Sequence, residues 1–387
     1  MKKRIIAQAL GIASLAVAGQ AQAVSFTQGD ATMDINGTIN GFYSYRHVDN
    51  NGVKTDNSGV INGLLPGWIN FVFTTKVEDL DIKAHVGLAP GLNDSSTVVG
   101  LPSSPGSGAT AGFDSPYSQI DVRNLYFSFG NASMGTVKIG RDIGLFGQKV
   151  ILADMTLLGI GGNSNASIPF NTTFGMIGHG YMYTGFQSQI TYTTPDMGGF
   201  SASAGIFQPK DFIASGETST PGFQAIASYN FGMGEVWGGL VYQSIDDGGD
   251  STLDTFDATG FEAGLKMGFG DFEALGYVFD GSGVGLSNVG ALFFSPFGDT
   301  DSKGYFVQGT YKLGKTKLGI NYGQNEDEGG ALTDKNKFRG VTVGVYHALN
   351  KHITLVGEYN QEKGTGDDLW GDSFKTRTIS LGGIIFF

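Results

Sequence analysis

Apolar and polar residues alternate with a period of two in short runs from Met33 to Phe387, and this restricts the chain to strands with one apolar face. In the first run Met33, Ile35, Ile39, Tyr43 and Tyr45 share a face, opposite Asp34, Asn36, Thr38, Asn40, Ser44 and Arg46. The next sets Ile69, Phe71, Phe73 and Val77 against Asn70, Thr74 and Lys76, then turns at Glu78-Asp79. It returns as Leu80, Ile82, Ala84, Val86 and Leu88 against Asp81, Lys83 and His85, a hairpin with one apolar side.

The first residues read differently. Met1, Lys2, Lys3 and Arg4 form a basic region, Ile5 to Gly19 is uncharged, and Ala21-Gln22-Ala23 supplies the small residues of a cleavage site. Residues 1–23 are therefore expected to be a removable export signal, and residues 24–387 a single transmembrane domain. No other stretch reaches the roughly 18 apolar residues of a spanning helix, so an exported chain that crosses a membrane does so with strands.

Further hairpins occupy 119–141, 183–208, 223–244, 259–279, 304–324 and 338–361, and a last strand runs from Arg377 to Phe387. With the opening strand this predicts an all-β, antiparallel up-and-down barrel of sixteen strands, with fourteen or eighteen as neighbouring counts. Short turns such as Gly270-Asp271 alternate with long segments such as 47–65, 90–118 and 142–182, the asymmetry of a barrel with two unlike ends. Sixteen strands enclose an aqueous lumen rather than a packed core. Composition agrees: Gly 63, Phe 29 and Tyr 15 against Pro 10 describe many short aromatic strands. Cys 0 leaves neither a disulfide framework nor a thiolate metal site, and no cofactor or metal is expected.

The net charge of −12 includes the basic signal, so the mature chain is more acidic still, and nucleic acid is not an expected partner. The acids concentrate in long segments: Asp246, Asp247, Asp250, Asp254 and Asp257 in one, Glu326, Asp327, Glu328 and Asp334 in another, Asp367, Asp368 and Asp372 in a third. On the polar faces of the strands basic residues outnumber acids, so the acidity describes the rim more than the lumen.

Four places resemble the general diffusion porins of Gram-negative outer membranes. They are Asp34-Ile-Asn-Gly-Thr-Ile-Asn-Gly-Phe-Tyr43 after the signal, Val122-Arg-Asn-Leu-Tyr-Phe-Ser-Phe129 leading to Gly135-Thr-Val-Lys-Ile-Gly-Arg141, the turn Tyr346-His-Ala-Leu-Asn-Lys-His352, and the terminal Phe387. The resemblance implies a water-filled channel for passive diffusion of ions and small hydrophilic solutes, usually a homotrimer. It further implies that Phe387 is read by the barrel-assembly machinery as the insertion signal. The ending Gly382-Gly-Ile-Ile-Phe-Phe387 departs from the family in lacking polar inward residues.

The resemblance also implies that the third long segment, 142–182, folds into the lumen as a constriction. Its apolar start, with Leu145, Phe146, Val150, Ile151, Leu152, Leu157 and Leu158, suits packing on the barrel wall and would present Asp142, Lys149 and Asp154 to the channel. Opposite, the resemblance places a basic cluster of Arg46, Lys76, Lys83, Arg123, Lys138 and Arg141, giving a transverse field across the pore. Strict alternation, however, puts Arg123 on the face of Leu125 and Phe127.

Three other functions compete. An outer-membrane enzyme needs a nucleophile and base, yet His47, His85, His179, His347 and His352 are scattered and neither G-x-S-x-G nor H-E-x-x-H occurs. A receptor or adhesin would work through the acidic loops, whose plainer reading is contact with the divalent cations that bridge lipopolysaccharide. A substrate-specific channel for a sugar or anion would use an aromatic slide, for which Phe170, Phe174, Tyr181 and Tyr183 are candidates.

Overall fold

Val, Ile, Phe and Tyr at every second position favour extended backbone, because branched and aromatic side chains pack well on a pleated surface. The computed structural model describes residues 23–92, 120–162, 172–209, 220–245, 255–285, 298–366 and 371–387. The expected signal, apart from Ala23, lies outside them, as do Phe170 and the acids Asp246, Asp247, Asp250, Asp254, Asp367 and Asp368.

The strands are β1 (Val24–Gln28), β2 (Ala31–Asn50), β3 (Val53–Ile61), β4 (Trp68–Val77), β5 (Leu80–Pro90), β6 (Ile120–Asn131), β7 (Gly135–Ile143), β8 (Phe186–Thr193) and β9 (Phe200–Phe207). They continue as β10 (Gly222–Asn230), β11 (Gly234–Ile245), β12 (Phe256–Phe269), β13 (Phe272–Ser282), β14 (Thr300–Leu313), β15 (Thr316–Gly329), β16 (Asn336–Ala348), β17 (Ile353–Gly366) and β18 (Gly371–Phe386). Every pairing is antiparallel; β2 pairs with β4, each strand from β4 onward pairs with the next, and β18 returns to β2. The result is the closed 16-strand barrel that the pattern predicts. Closure leaves no open edge, which in hydrocarbon would strand backbone groups at several kcal/mol each.

Two strands lie outside that count, and the expected loop 47–65 is partly one of them. β2 runs on to Asn50 and reverses through Asn51-Gly52, whose φ values of 52° and 85° suit a two-residue hairpin turn, so β3 pairs back on β2. β1 folds onto Ala31–Ile35 of β2, on the edge that β18 occupies from Thr38 to Asn50. Phe387 completes that edge: its carbonyl accepts from Gly37 N at 2.8 Å and its own N–H donates to Gly37 O at 3.1 Å.

The outward face is apolar and exposed, as at Ile39, Tyr43, Leu125, Phe127, Ile190, Phe261 and Leu265. At the short-turn end it carries Tyr192, Phe200, Tyr229, Phe269, Phe272 and Tyr311, the aromatic girdle of a strand wall in lipid. Inward positions on β10 to β18 are instead buried polar groups, among them Gln224, Glu262, Gln308, Asn321, Asn325, Glu358 and Thr376. The material that covers them is the chain between β7 and β8.

Candidate functional site

After β7 the chain turns through Gly147, with φ 73°, into α1 (Gln148–Ala153) and a 3-10 turn over Met155–Leu158. Leu145, Phe146, Val150, Ile151, Met155, Leu157 and Ile160 are buried, so apolar burial draws this segment against the wall. Its backbone donors, removed from water by that burial, then need partners, and the wall strands provide them. Gln224 of β10 accepts from Leu145 N at 2.8 Å and Phe146 N at 3.1 Å, and Glu262 of β12 from Gly147 N at 2.9 Å. Gln308 of β14 accepts from Met155 N at 2.7 Å and donates to Ala153 O at 2.8 Å. Glu358 of β17 accepts from Ile160 N and Gly161 N, both at 2.8 Å, while Asn325 of β15 accepts from Gly180 N. Tyr277 and Tyr346 hydroxyls donate to Glu262 Oε2 and Glu358 Oε1 at 2.8 and 2.6 Å, so each buried carboxylate takes a hydroxyl as well as a backbone donor.

Asp154 departs from expectation. It is only 3% exposed and faces β15, not the channel. Its carboxylate accepts from Thr156 N at 2.9 Å, Thr156 Oγ1 at 2.7 Å, Tyr181 Oη at 2.8 Å and Asn321 Nδ2 at 3.2 Å. It caps the 3-10 turn, and burial pushes its carboxyl above the ordinary range against the pull of those donors. Tyr181 is accordingly buried, edge-on to Phe306 at 5.4 Å, and is no part of an aromatic slide. Lys149 pairs with Glu235 of β11, away from the early strands.

The expected basic cluster divides. Lys83 and Lys138 converge on one ring, their Nζ atoms 5.6 and 5.5 Å from the centroid of Tyr126, and Lys138 pairs with Asp142 at 2.6 Å. Asp142 also accepts from Asn124 Nδ2 at 2.7 Å, so it belongs to this wall group. Lys76 lies beside the short β4–β5 turn, 3.4 Å from Asp81 and exposed. Arg46 stands on β2 opposite Thr378 of β18, near Glu362 of β17. These two are therefore separate from the pair at Tyr126.

Arg123 does turn inward, and a bulge is the reason. The β5–β6 register steps between Gly87 and Leu88, so Gly87 faces Asn124, Leu88 faces Val122, and Arg123 is the inserted residue. The residue is 9% exposed, Nε donates to Asp121 at 3.1 Å, and the guanidinium lies 5.8 Å from the Trp68 ring and 5.6 Å from the Phe186 ring. Arg141 is paired in the ladder with the outward Leu125 and Ser188, but its side chain extends to the carbonyl of Val122, with Nε at 3.1 Å, and reaches the cavity that Arg123 and Tyr183 also line.

The signature of Gram-negative porins covers residues 9–367. The chain belongs to the Gram-negative porins. Its fold is similar to that of the anion-selective porin from Comamonas acidovorans, at TM-score 0.64 and 17% identity over 92% of this chain and 100% of that one. The outer membrane channel DcaP of Acinetobacter baumannii gives TM-score 0.67 at 16% identity, over 95% and 100% of the two chains. OmpT of Vibrio cholerae, in its trimer form, gives 0.58 at 18%, over 93% and 100%. No curated protein matches the sequence. The protein is thus an outer-membrane channel for passive diffusion.

In this porin the residues that hold the loop, Gln224, Glu262, Gln308, Asn321, Asn325 and Glu358, are not those that sequence reasoning selected. Their signal was present: they are long hydrogen-bonding side chains at inward positions of one side of the barrel, where a solvated wall has no need of so many.

Proposed function

We propose that the porin passes ions and small hydrophilic solutes through an opening narrowed by 142–182, assembled as a homotrimer. The observation that carries the narrowing is the set of bonds from the loop backbone to inward side chains of β10, β12, β14, β15 and β17. Solutes then pass between the loop and the wall of β4 to β9. Acidic groups at the rim enrich cations, whereas Lys83, Lys138 and Arg123 on the wall favour anions, and selectivity is weak as a result. The family and fold are those of a channel rather than an enzyme. The trimer form of the similar Vibrio protein supports the homotrimer. Lipopolysaccharide at the acidic rim and the assembly machinery at Phe387 are the other partners proposed.

Single-channel conductance in planar bilayers tests this reading. Deleting residues 150–160 should raise the conductance of the folded channel; an unchanged current would place the narrowing elsewhere. A substrate-specific channel is the second reading, favoured by the lining of one cavity.

A further inference from the structure

Between the loop and the wall of β4, β6 and β8 lies a cavity of about 460 Å³, within the range of small-molecule sites. Its lining is unlike that of an eyelet for hydrated ions. On the loop side it presents Ile151, Leu157 and Phe174, because the acid expected there, Asp154, is turned to β15. Facing them are Trp68 and Phe186, their rings 5.8 Å apart, with the Arg123 guanidinium over both. Among the described residues of the lining the charged groups are Arg123, Arg141 and Asp121, an excess of one positive charge.

Such a surface discriminates by chemistry. A small hydrated ion gains the charge but leaves the apolar walls wetted, and a sugar finds hydroxyl and amide partners in Thr172, Thr173, Gln187, Ser188 and Gln208 but leaves the positive charge unused. A ring that carries one carboxylate satisfies both, burying its face against Phe174 and Leu157 while its anionic end meets the arginines. Arg141 is the more accessible of the two, since Arg123 is nearly enclosed and already held by Asp121.

We propose that this cavity is a binding step within the channel for small aromatic carboxylates. The proposal rests on the channel reading above. Its test is the purified porin in a planar bilayer, with benzoate, acetate or benzyl alcohol added to the potassium chloride solution. Benzoate should block the current saturably, at a concentration about tenfold or more below acetate, the factor that burial of one ring supplies. Benzyl alcohol, which has the ring without the charge, should also be weaker than benzoate. Phe174→Ala and Arg141→Gln should each bring the benzoate and acetate concentrations together, in protein whose heat-modifiable mobility shows an intact barrel. If Phe174→Ala fails to fold, Leu152→Ala on the same lining serves instead. Equal block by benzoate and acetate, or a ratio unmoved in every folded variant, overturns the proposal and leaves the channel standing. A protein that conducts nothing overturns both.

Discussion

Arg123 illustrates how one inserted residue redirects a side chain. Without it Gly87 and Leu88 would face Asn124 and Val122 in an unbroken ladder, so deleting Arg123 should leave a regular β5–β6 pair. We predict that this deletion still gives heat-modifiable protein with a reversal potential shifted toward cations. Deleting Ser128, which lies within the regular ladder opposite Lys83 and Lys138, should abolish assembly, because every outward residue on one side of it would turn inward. Asp154 carries the opposite lesson. Since it is buried, Asp154→Asn should leave the reversal potential where it is. It should cost roughly 1–3 kcal/mol of stability, read as a lower temperature for loss of heat-modifiable mobility, because the amide cannot accept from Tyr181 and Thr156 as the carboxylate does. A selectivity change without a stability change would contradict that placement.

At the scale of elements, the loop is held by side chains spaced along five strands, so its rigidity is distributed. Gly323 of β15 shows how closely it lies on the wall, since a Cβ there would overlap the carbonyl oxygen of His179. Replacing Glu358 by Leu would strip acceptors from Ile160 N, Gly161 N and the Tyr346 hydroxyl at once. We expect Glu358→Leu to raise open-channel noise and lower thermal stability by about 2–4 kcal/mol, whereas a substitution of the exposed Lys315 should change neither. Quiet, wild-type-like currents from Glu358→Leu would show that the remaining bonds suffice. The outer ends of β15 and β16 follow another logic. Lys335 and Lys337 lie 2.8 and 2.9 Å from Glu326, and the Lys335 ammonium is raised by its hydrogen bonds to Glu326 and Glu328. The acidic rim there is partly neutralised by its own lysines, which limits how strongly it enriches cations.

For the whole molecule, closure of the barrel at β18 and β2 is the event that removes the last open edge. Phe387 completes it with two backbone bonds to Gly37. Deleting Phe387 should reduce assembled protein in the outer membrane far more than deleting Gly249, with unassembled chain collecting in the periplasm. Equal gel-shifted yields of the two would remove both the closing role and the proposed signal role from this residue. The sequence by itself determined the sixteen strands, their hairpin partners and the outward face, because a period of two with apolar residues on one side admits a single orientation in lipid. It also contained the Asn51-Gly52 turn that lengthens β2, a local signal that the apparent loop around it obscured. Only the tertiary structure decided that Asp154 is buried against β15, that Arg123 faces inward through a bulge, and that Ile151, Leu157 and Phe174 line the cavity beside Trp68 and Phe186. Those outcomes depend on which distant strand the loop meets and on where one extra residue enters a ladder, and contacts of that range leave no periodic trace in the chain.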